Sequence, residues 1–128
     1  MEIKIPINKT YRATQIVEDK HTAIEYGSGL AKVFATPAMI ALMENASYKC
    51  IEEFLPEGYS SVGTEICIQH LRATLPGDSV YADSTVVSVD GRKVSFEVEA
   101  FDSKGLIGTG KHDRFLVETK KFLAKLNG

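Results

Sequence analysis

Cysteine is scarce in this chain of 128 residues, and Cys50 and Cys67 are its whole complement. Neither belongs to a CxxC or Cys/His spacing, so no metal site is expected. Two thiols in a domain of this size are most simply reduced, which points to the cytoplasm. Excess charge of one sign is also missing. The formal charge is −2 with a pI near 5.9, and acids and bases are interspersed. Without a basic stripe, nucleic acid is not an expected partner. The densest basic cluster, Lys120, Lys121 and Lys125, reads as a solvated helix face. Long apolar runs are absent from the opening segment, Met1-Glu2-Ile3-Lys4-Ile5-Pro6, so neither a signal peptide nor a membrane span is expected there. Repeats, low-complexity tracts and linkers are lacking too, and one domain over 1–128 is expected.

What is present is enough apolar sequence, 44%, for a real core. Thr36-Pro37 reads as a helix N-cap followed by proline at the first helical position. The helix runs to about Leu55, where Pro56-Glu57-Gly58 stops it. Ahead of it, 11–17 reads as a strand, 21–26 as a second, and 27–34 as a glycine-containing connection. After it the period changes to two. A strand covers 62–71, Pro76-Gly77-Asp78 turns, and a second strand covers 79–89. Asp90-Gly91 signals a type I′ hairpin. Val94, Phe96, Val98 and Ala100 then alternate with Ser95, Glu97 and Glu99, as in a half-buried strand. Ser103-Lys104-Gly105 turns again, and the last strand covers 106–117. Phe122, Leu123 and Leu126 suggest a capping helix or extension. The first half of the long helix is apolar nearly all round and must be surrounded. The expected class is therefore α+β, with a curled antiparallel sheet wrapped round one central helix.

Glu44 is the anomaly in that helix. It shares a stripe with Ile40, Ala41, Tyr48 and Ile51, roughly 125° from the polar stripe of Asn45, Lys49, Glu52 and Glu53. It is therefore expected to point with the core residues, unless it sits at a rim and reaches water. A buried, unpaired carboxylate costs several kcal/mol, so such an acid is normally partnered and often serves as acid, base or nucleophile. His70 alternates with Thr64, Ile66 and Ile68 on the apolar face of its strand. The ordinary reading is a hydrogen-bonded core histidine. A helix packs about 10 Å from a sheet, however, so contact between Glu44 and His70 is expected to be within reach. Thr36 lies in the positive field of a helix start, which would stabilise an oxyanion. Gly63 either marks a bulge or lets a carbonyl approach the backbone. Gly108-Thr109-Gly110 lacks the following helix and third glycine of a nucleotide motif. His112, Asp113 and Arg114 alternate across their strand and do not form a triad by adjacency. A surface or dimer salt bridge is preferred for Arg114 over an anion contact, and His21 has no supporting context.

Phe34-Ala35-Thr36-Pro37, Glu44 eight residues on, Val62-Gly63-Thr64, His70, Ala73-Thr74 with Pro76-Gly77, and Gly108-Thr109-Gly110 with His112 and Arg114 occur here in order. This combination resembles the fluoroacetyl-CoA thioesterase family of hot-dog fold proteins, from Phe34 to about Lys125. The resemblance implies a sheet wrapped round a helix, and a homodimer formed through sheet edges or a tetramer built from it. It implies thioester hydrolysis by Thr36, Glu44 and His70, with Gly63, Arg114 and Phe34 on the substrate side. CoA would enter as part of the substrate, with no metal or other cofactor. Glu44 would act as nucleophile through a mixed anhydride or as base for water. The family's phenylalanine-rich lid is shortened here, with Gly27, Ser28 and Gly29 in its place. A short or medium acyl group is therefore expected rather than fluoroacetyl. The rival readings are a non-catalytic acyl-CoA-binding module and an enoyl-CoA hydratase of the same architecture.

Overall fold

Period-two patterning in the second half of the chain builds most of a five-stranded antiparallel sheet in the computed structural model, which describes residues 3–128. Met1 and Glu2, which open the segment read above as free of a signal peptide, lie outside the described residues. The strands are β1 (Thr10–Ile16), β2 (Tyr59–His70), β3 (Ser79–Asp90), β4 (Lys93–Asp102) and β5 (Gly105–Glu118). Their spatial order is β1-β3-β4-β5-β2. β4 is central, and Val94, Phe96, Val98 and Ala100 are all buried while Glu97 and Glu99 are exposed. β2 is an edge strand, hydrogen-bonded only to β5, and none of its residues is fully buried.

Among the helices, α1 (Ala23–Tyr26) is a single turn, α2 (Thr36–Glu52) is the long one, and α3 (Thr119–Asn127) ends the chain. α2 lies on the sheet chiefly against β1 and β3. Its core face carries Met39, Met43, Ala46, Cys50 and Ile51, each with no measurable exposure. Ser47 sits in the same seam, where its hydroxyl donates to the Met43 carbonyl and pairs with the Ser84 hydroxyl, both at 2.8 Å. That satisfies a polar group that would otherwise destabilise the seam. Gly108 exists for close approach: a Cβ there would come 2.6 Å from the Met39 sulfur, and one at Gly110 would press on the Cys67 carbonyl. Both cysteines are free, Cys50 buried and Cys67 exposed. No described helix is long and apolar enough to cross a membrane.

Several expectations need correction. Residues 21–26 are not a strand. The chain makes a 3-10 turn over Asp19–His21 and then α1, which Gly27 closes in the left-handed conformation at φ 69°. The hairpin after β3 is real, but its loop is Gly91-Arg92, because Asp90 pairs with Lys93. Gly91 has φ 61° and Arg92 does not have positive φ, so the turn is not type I′. α2 ends at Glu52 rather than Leu55, and it is only partly surrounded, since Ala41, Tyr48 and Lys49 are exposed. The C-terminal segment is helical but buries no residue; Leu123 and Leu126 remain 52% and 71% exposed.

Candidate active site

The start of α2 and the end of β2 meet at Thr36 and His70. Ala35 is the N-cap, and no side chain caps the helix. The Thr36 hydroxyl is therefore not spent on backbone N–H groups, contrary to the N-cap reading. It lies 2.8 Å from His70 Nδ1, in a hydrogen bond whose direction depends on the imidazole tautomer. His70 Nε2 is buried and has no partner among the described residues. Burial pushes the His70 pKa below the ordinary 6.5, and a contact with the Arg72 backbone opposes that shift. Burial thus favours the neutral imidazole, with Nδ1 held by Thr36. A cavity of about 310 Å³ opens beside the pair, lined also by Phe34, Ser28, Leu71 and Arg72. Phe34 itself is 1% exposed and belongs to the core.

Glu44 lies at a second cluster. It is half-buried on the flank of α2 with Ile40 and Tyr48, not on the core face where its helical phase was expected to put it. Its neighbour is Gly63, beside a bulge in β2. A Cβ at Gly63 would stand 3.1 Å from Glu44 Oε2, 3.2 Å from His112 Cε1 and 3.6 Å from Arg114 Nη1. A side chain here would press on the carboxylate and the imidazole, which would have to give by a few tenths of an ångström. His112 Nδ1 is 2.8 Å from the Glu65 carbonyl, which can only accept. Nδ1 therefore carries the hydrogen, and Nε2 accepts from Arg114 Nη1 at 3.2 Å. Burial lowers the His112 pKa; the Glu65 carbonyl opposes this and Arg114 adds to it. Arg114 also donates from Nε to the Ser61 hydroxyl at 2.7 Å and from Nη2 to the Ser61 carbonyl at 2.9 Å. It is 8% exposed, so it is a buried cation held by β2 and not a surface salt bridge. Burial lowers its pKa while Glu44 and Tyr48 raise it. Asp113, on the opposite face, pairs with Lys93 at 3.6 Å.

The expected contact between Glu44 and His70 is not made within one chain. Thr36 and Glu44 are separated by about 12 Å of helix axis at 1.5 Å per residue. Gly63 and His70 are separated by about 20 Å of strand at roughly 3.3 Å per residue, allowing for the bulge. Thr36 and His70 come together at one end of the α2–β2 seam, and Glu44, Gly63 and Arg114 at the other. Two contributors escaped sequence reasoning. His112, set aside with its neighbours, orients Arg114. Arg72, two residues past His70, lines the cavity, and its carboxylate partner is Asp102, 2.6 Å away at the end of β4. Among the described residues, no group of three His, Cys, Asp or Glu side chains is arranged to hold a metal ion.

Comparison with known proteins agrees with this architecture. The FlK family model, described as fluoroacetyl-CoA-specific thioesterase, matches residues 17–120. A fluoroacetyl-CoA thioesterase of Streptantibioticus cattleyicolor is 41% identical over 95 residues, covering 74% of this chain and 68% of that protein. The solved structure of fluoroacetyl-CoA thioesterase FlK superposes with a TM-score of 0.90 at 32% identity, over 97% of this chain and 96% of that one. A thioesterase superfamily member from Thermus thermophilus gives the same TM-score, 0.90, at 29% identity, over 97% and 92% of the two chains. The curled sheet, the long helix over it and these matches together make this chain a hot-dog thioester hydrolase belonging to the fluoroacetyl-CoA-specific thioesterase family.

Proposed function

We propose that this enzyme hydrolyses a short or medium acyl-CoA thioester, without selectivity for fluoroacetyl, and works as a cytoplasmic homodimer. Thr36 and His70 of one copy meet Glu44 of the other. The observation that carries this reading is His70 Nε2, buried and unpartnered while Thr36 holds Nδ1. An imidazole in that state lacks one group, and Glu44 of the same chain is too far away to supply it. β2 is an edge strand with a free side. A two-fold antiparallel pairing of β2 with its copy, centred on Cys67, sets Glu65 opposite Gln69 and brings the bulge at Gly63 of one chain beside His70 of the other. The carboxylate beside Gly63 then arrives where the imidazole needs it. The thioester carbonyl lies between the start of α2 and that Gly63, where helix N–H groups stabilise the tetrahedral oxyanion. Glu44 attacks as nucleophile or directs water, and His70 handles the proton at the leaving thiolate. Arg114 and His112 hold the acid in place.

The test measures free-thiol release across acyl-CoA chain lengths. Glu44→Gln and His70→Ala should each lower turnover on the order of 10²–10⁴-fold. Full activity in both variants would remove the two residues from the mechanism. Crotonyl-CoA hydration without thiol release would favour the hydratase instead. Co-refolding the two inactive variants at equal amounts should restore about a quarter of wild-type activity, because half the dimers are mixed and each mixed dimer has one intact site. No recovery would mean that each chain completes its own site.

A further inference from the structure

The cavity beside Thr36 and His70 contains a cation that none of the chemistry above uses. Arg72 lies just past the end of β2, and its Nη2 donates to Asp102 Oδ1 at 2.6 Å and to the Gly105 carbonyl at 3.3 Å. Asp102 is 2% exposed at its side chain, whereas Arg72 is 38% exposed. The carboxylate is fully engaged. Oδ2 accepts from the Thr74 hydroxyl at 2.8 Å, and Oδ1 accepts from the Lys104 backbone N–H at 2.8 Å. Burial acts to raise the Asp102 pKa, but the bonds from Arg72, Thr74 and Lys104 outweigh it and hold the carboxyl ionised. A buried carboxylate with three fixed donors is a rigid mount. Asp102 and Gly105 take both hydrogens of Nη2 and leave Nε and Nη1 without partners among the described residues. Arg72 is also the charged side chain among the residues lining this cavity. Arg114 presents the opposite case: each of its nitrogens is bonded inside the protein, so it has little left to offer a ligand.

We infer that Arg72, mounted on Asp102, is a substrate-recognition residue whose free Nη1 donates to an oxyanion of the acyl-CoA. That oxyanion is a phosphate of the CoA moiety or a carboxylate at the far end of the acyl group. This assignment rests on the acyl-CoA reading of the Thr36–His70 site and specifies what the substrate must carry. With Nη2 spent on Asp102 and Gly105, Nη1 can still donate to a phosphate or carboxylate while the side chain stays on its mount, and a lysine's single ammonium cannot do both.

The experiment compares wild type, Arg72→Met and Arg72→Lys on acetyl-CoA, succinyl-CoA and S-acetylpantetheine. KM is separated from kcat, and the same thioesters are titrated calorimetrically for affinity. Arg72→Lys keeps a charge for Asp102 and should fold as wild type, but one ammonium cannot serve both Asp102 and the ligand. Both variants should raise KM and Kd about tenfold with kcat little changed. If the oxyanion is a CoA phosphate, the loss appears with acetyl-CoA and succinyl-CoA and is absent with S-acetylpantetheine. If it is an acyl carboxylate, the loss appears with succinyl-CoA alone. Unchanged KM and Kd for all three ligands overturns the assignment, as does an equal loss for all three. Thiol release by wild type without any Arg72 dependence sinks this inference and leaves the thioesterase reading standing. Arg72-dependent binding without thiol release does the reverse.

Discussion

The two ends of the α2–β2 seam differ in how finished they are. At the Glu44 end, Arg114, His112, Ser61 and the Glu65 carbonyl form a closed network beside a glycine, with a buried cation bonded at every nitrogen. At the Thr36 end, one hydrogen bond joins two side chains, an imidazole nitrogen is left over, and a cavity opens beside them. The first end resembles core and the second resembles a socket. An edge strand joins them, so a second copy of the chain can bring the finished end of one to the unfinished end of the other. That contrast predicts different consequences for mutations at the two ends: the network behind Glu44 carries stability as well as activity, whereas the open end carries mainly activity.

The largest separation should come from Arg114→Met. Removing the guanidinium leaves the Ser61 hydroxyl, the Ser61 carbonyl and His112 Nε2 without their partner and Glu44 without a neighbouring cation. Breaking such a buried network should cost about 3 kcal/mol of stability, seen as a lower urea midpoint. An unchanged midpoint would show that the network is not structural. Next comes Thr36→Val, which removes the hydroxyl from the open end with little change in shape. Turnover should fall about tenfold, because His70 loses the bond that fixes its ring, while stability stays within about 0.5 kcal/mol. A large drop in stability with kcat preserved would reverse the comparison.

Sequence periodicity made the architecture legible because it reports burial along one element at a time. β4 alternates without error, and the turn after β3 was placed within one residue. Residues 21–26 failed because Ala23, Ile24, Glu25 and Tyr26 do not distinguish a strand from one helical turn; the deciding feature is the left-handed conformation of Gly27. Glu44 failed in phase because a helical wheel does not say that the strand beside it, β2, is an edge. Ile40, Ala41, Glu44 and Tyr48 of its stripe therefore line a half-open flank, and Ile51 reaches the core. The Glu44–His70 pairing failed for a related reason. Both residues lie along the same seam, but which residue of β2 faces Glu44 depends on how α2 is set on the sheet, which no local pattern encodes. The surface alternative for Arg114 fails because Ser61 reaches it only through the register of β2 with β5. Arg72 was overlooked because Asp102, the residue that gives it meaning, lies thirty residues further on in the chain.

Acid should distinguish the two ends more subtly. His70 and His112 both have folded pKa values below the ordinary 6.5, each mainly through burial. Between those lowered values and about 6.5, the unfolded chain binds protons that the native chain refuses. Stability therefore rises with pH through that window, is fully present above it, and is lost as pH falls. Asp102 works the other way and lower down: its stabilisation is lost only as pH falls below the ordinary 3.8, so measurements between pH 5 and 7 report the histidines. His112 is the stronger contributor, because it is 2% exposed and protonation would destroy its acceptance from Arg114 and place two cations side by side. A single buried histidine can contribute a slope of at most about 1.4 kcal/mol per pH unit. The urea midpoint of wild type should hold from pH 8 to 7 and decline below 6.5. His112→Gln offers an acceptor without a titrating ring, so it should flatten the decline while leaving the acid limb of kcat/KM, set by His70, where wild type has it. A variant that loses the acid limb but keeps the full stability slope would mean that the roles of the two imidazoles are exchanged.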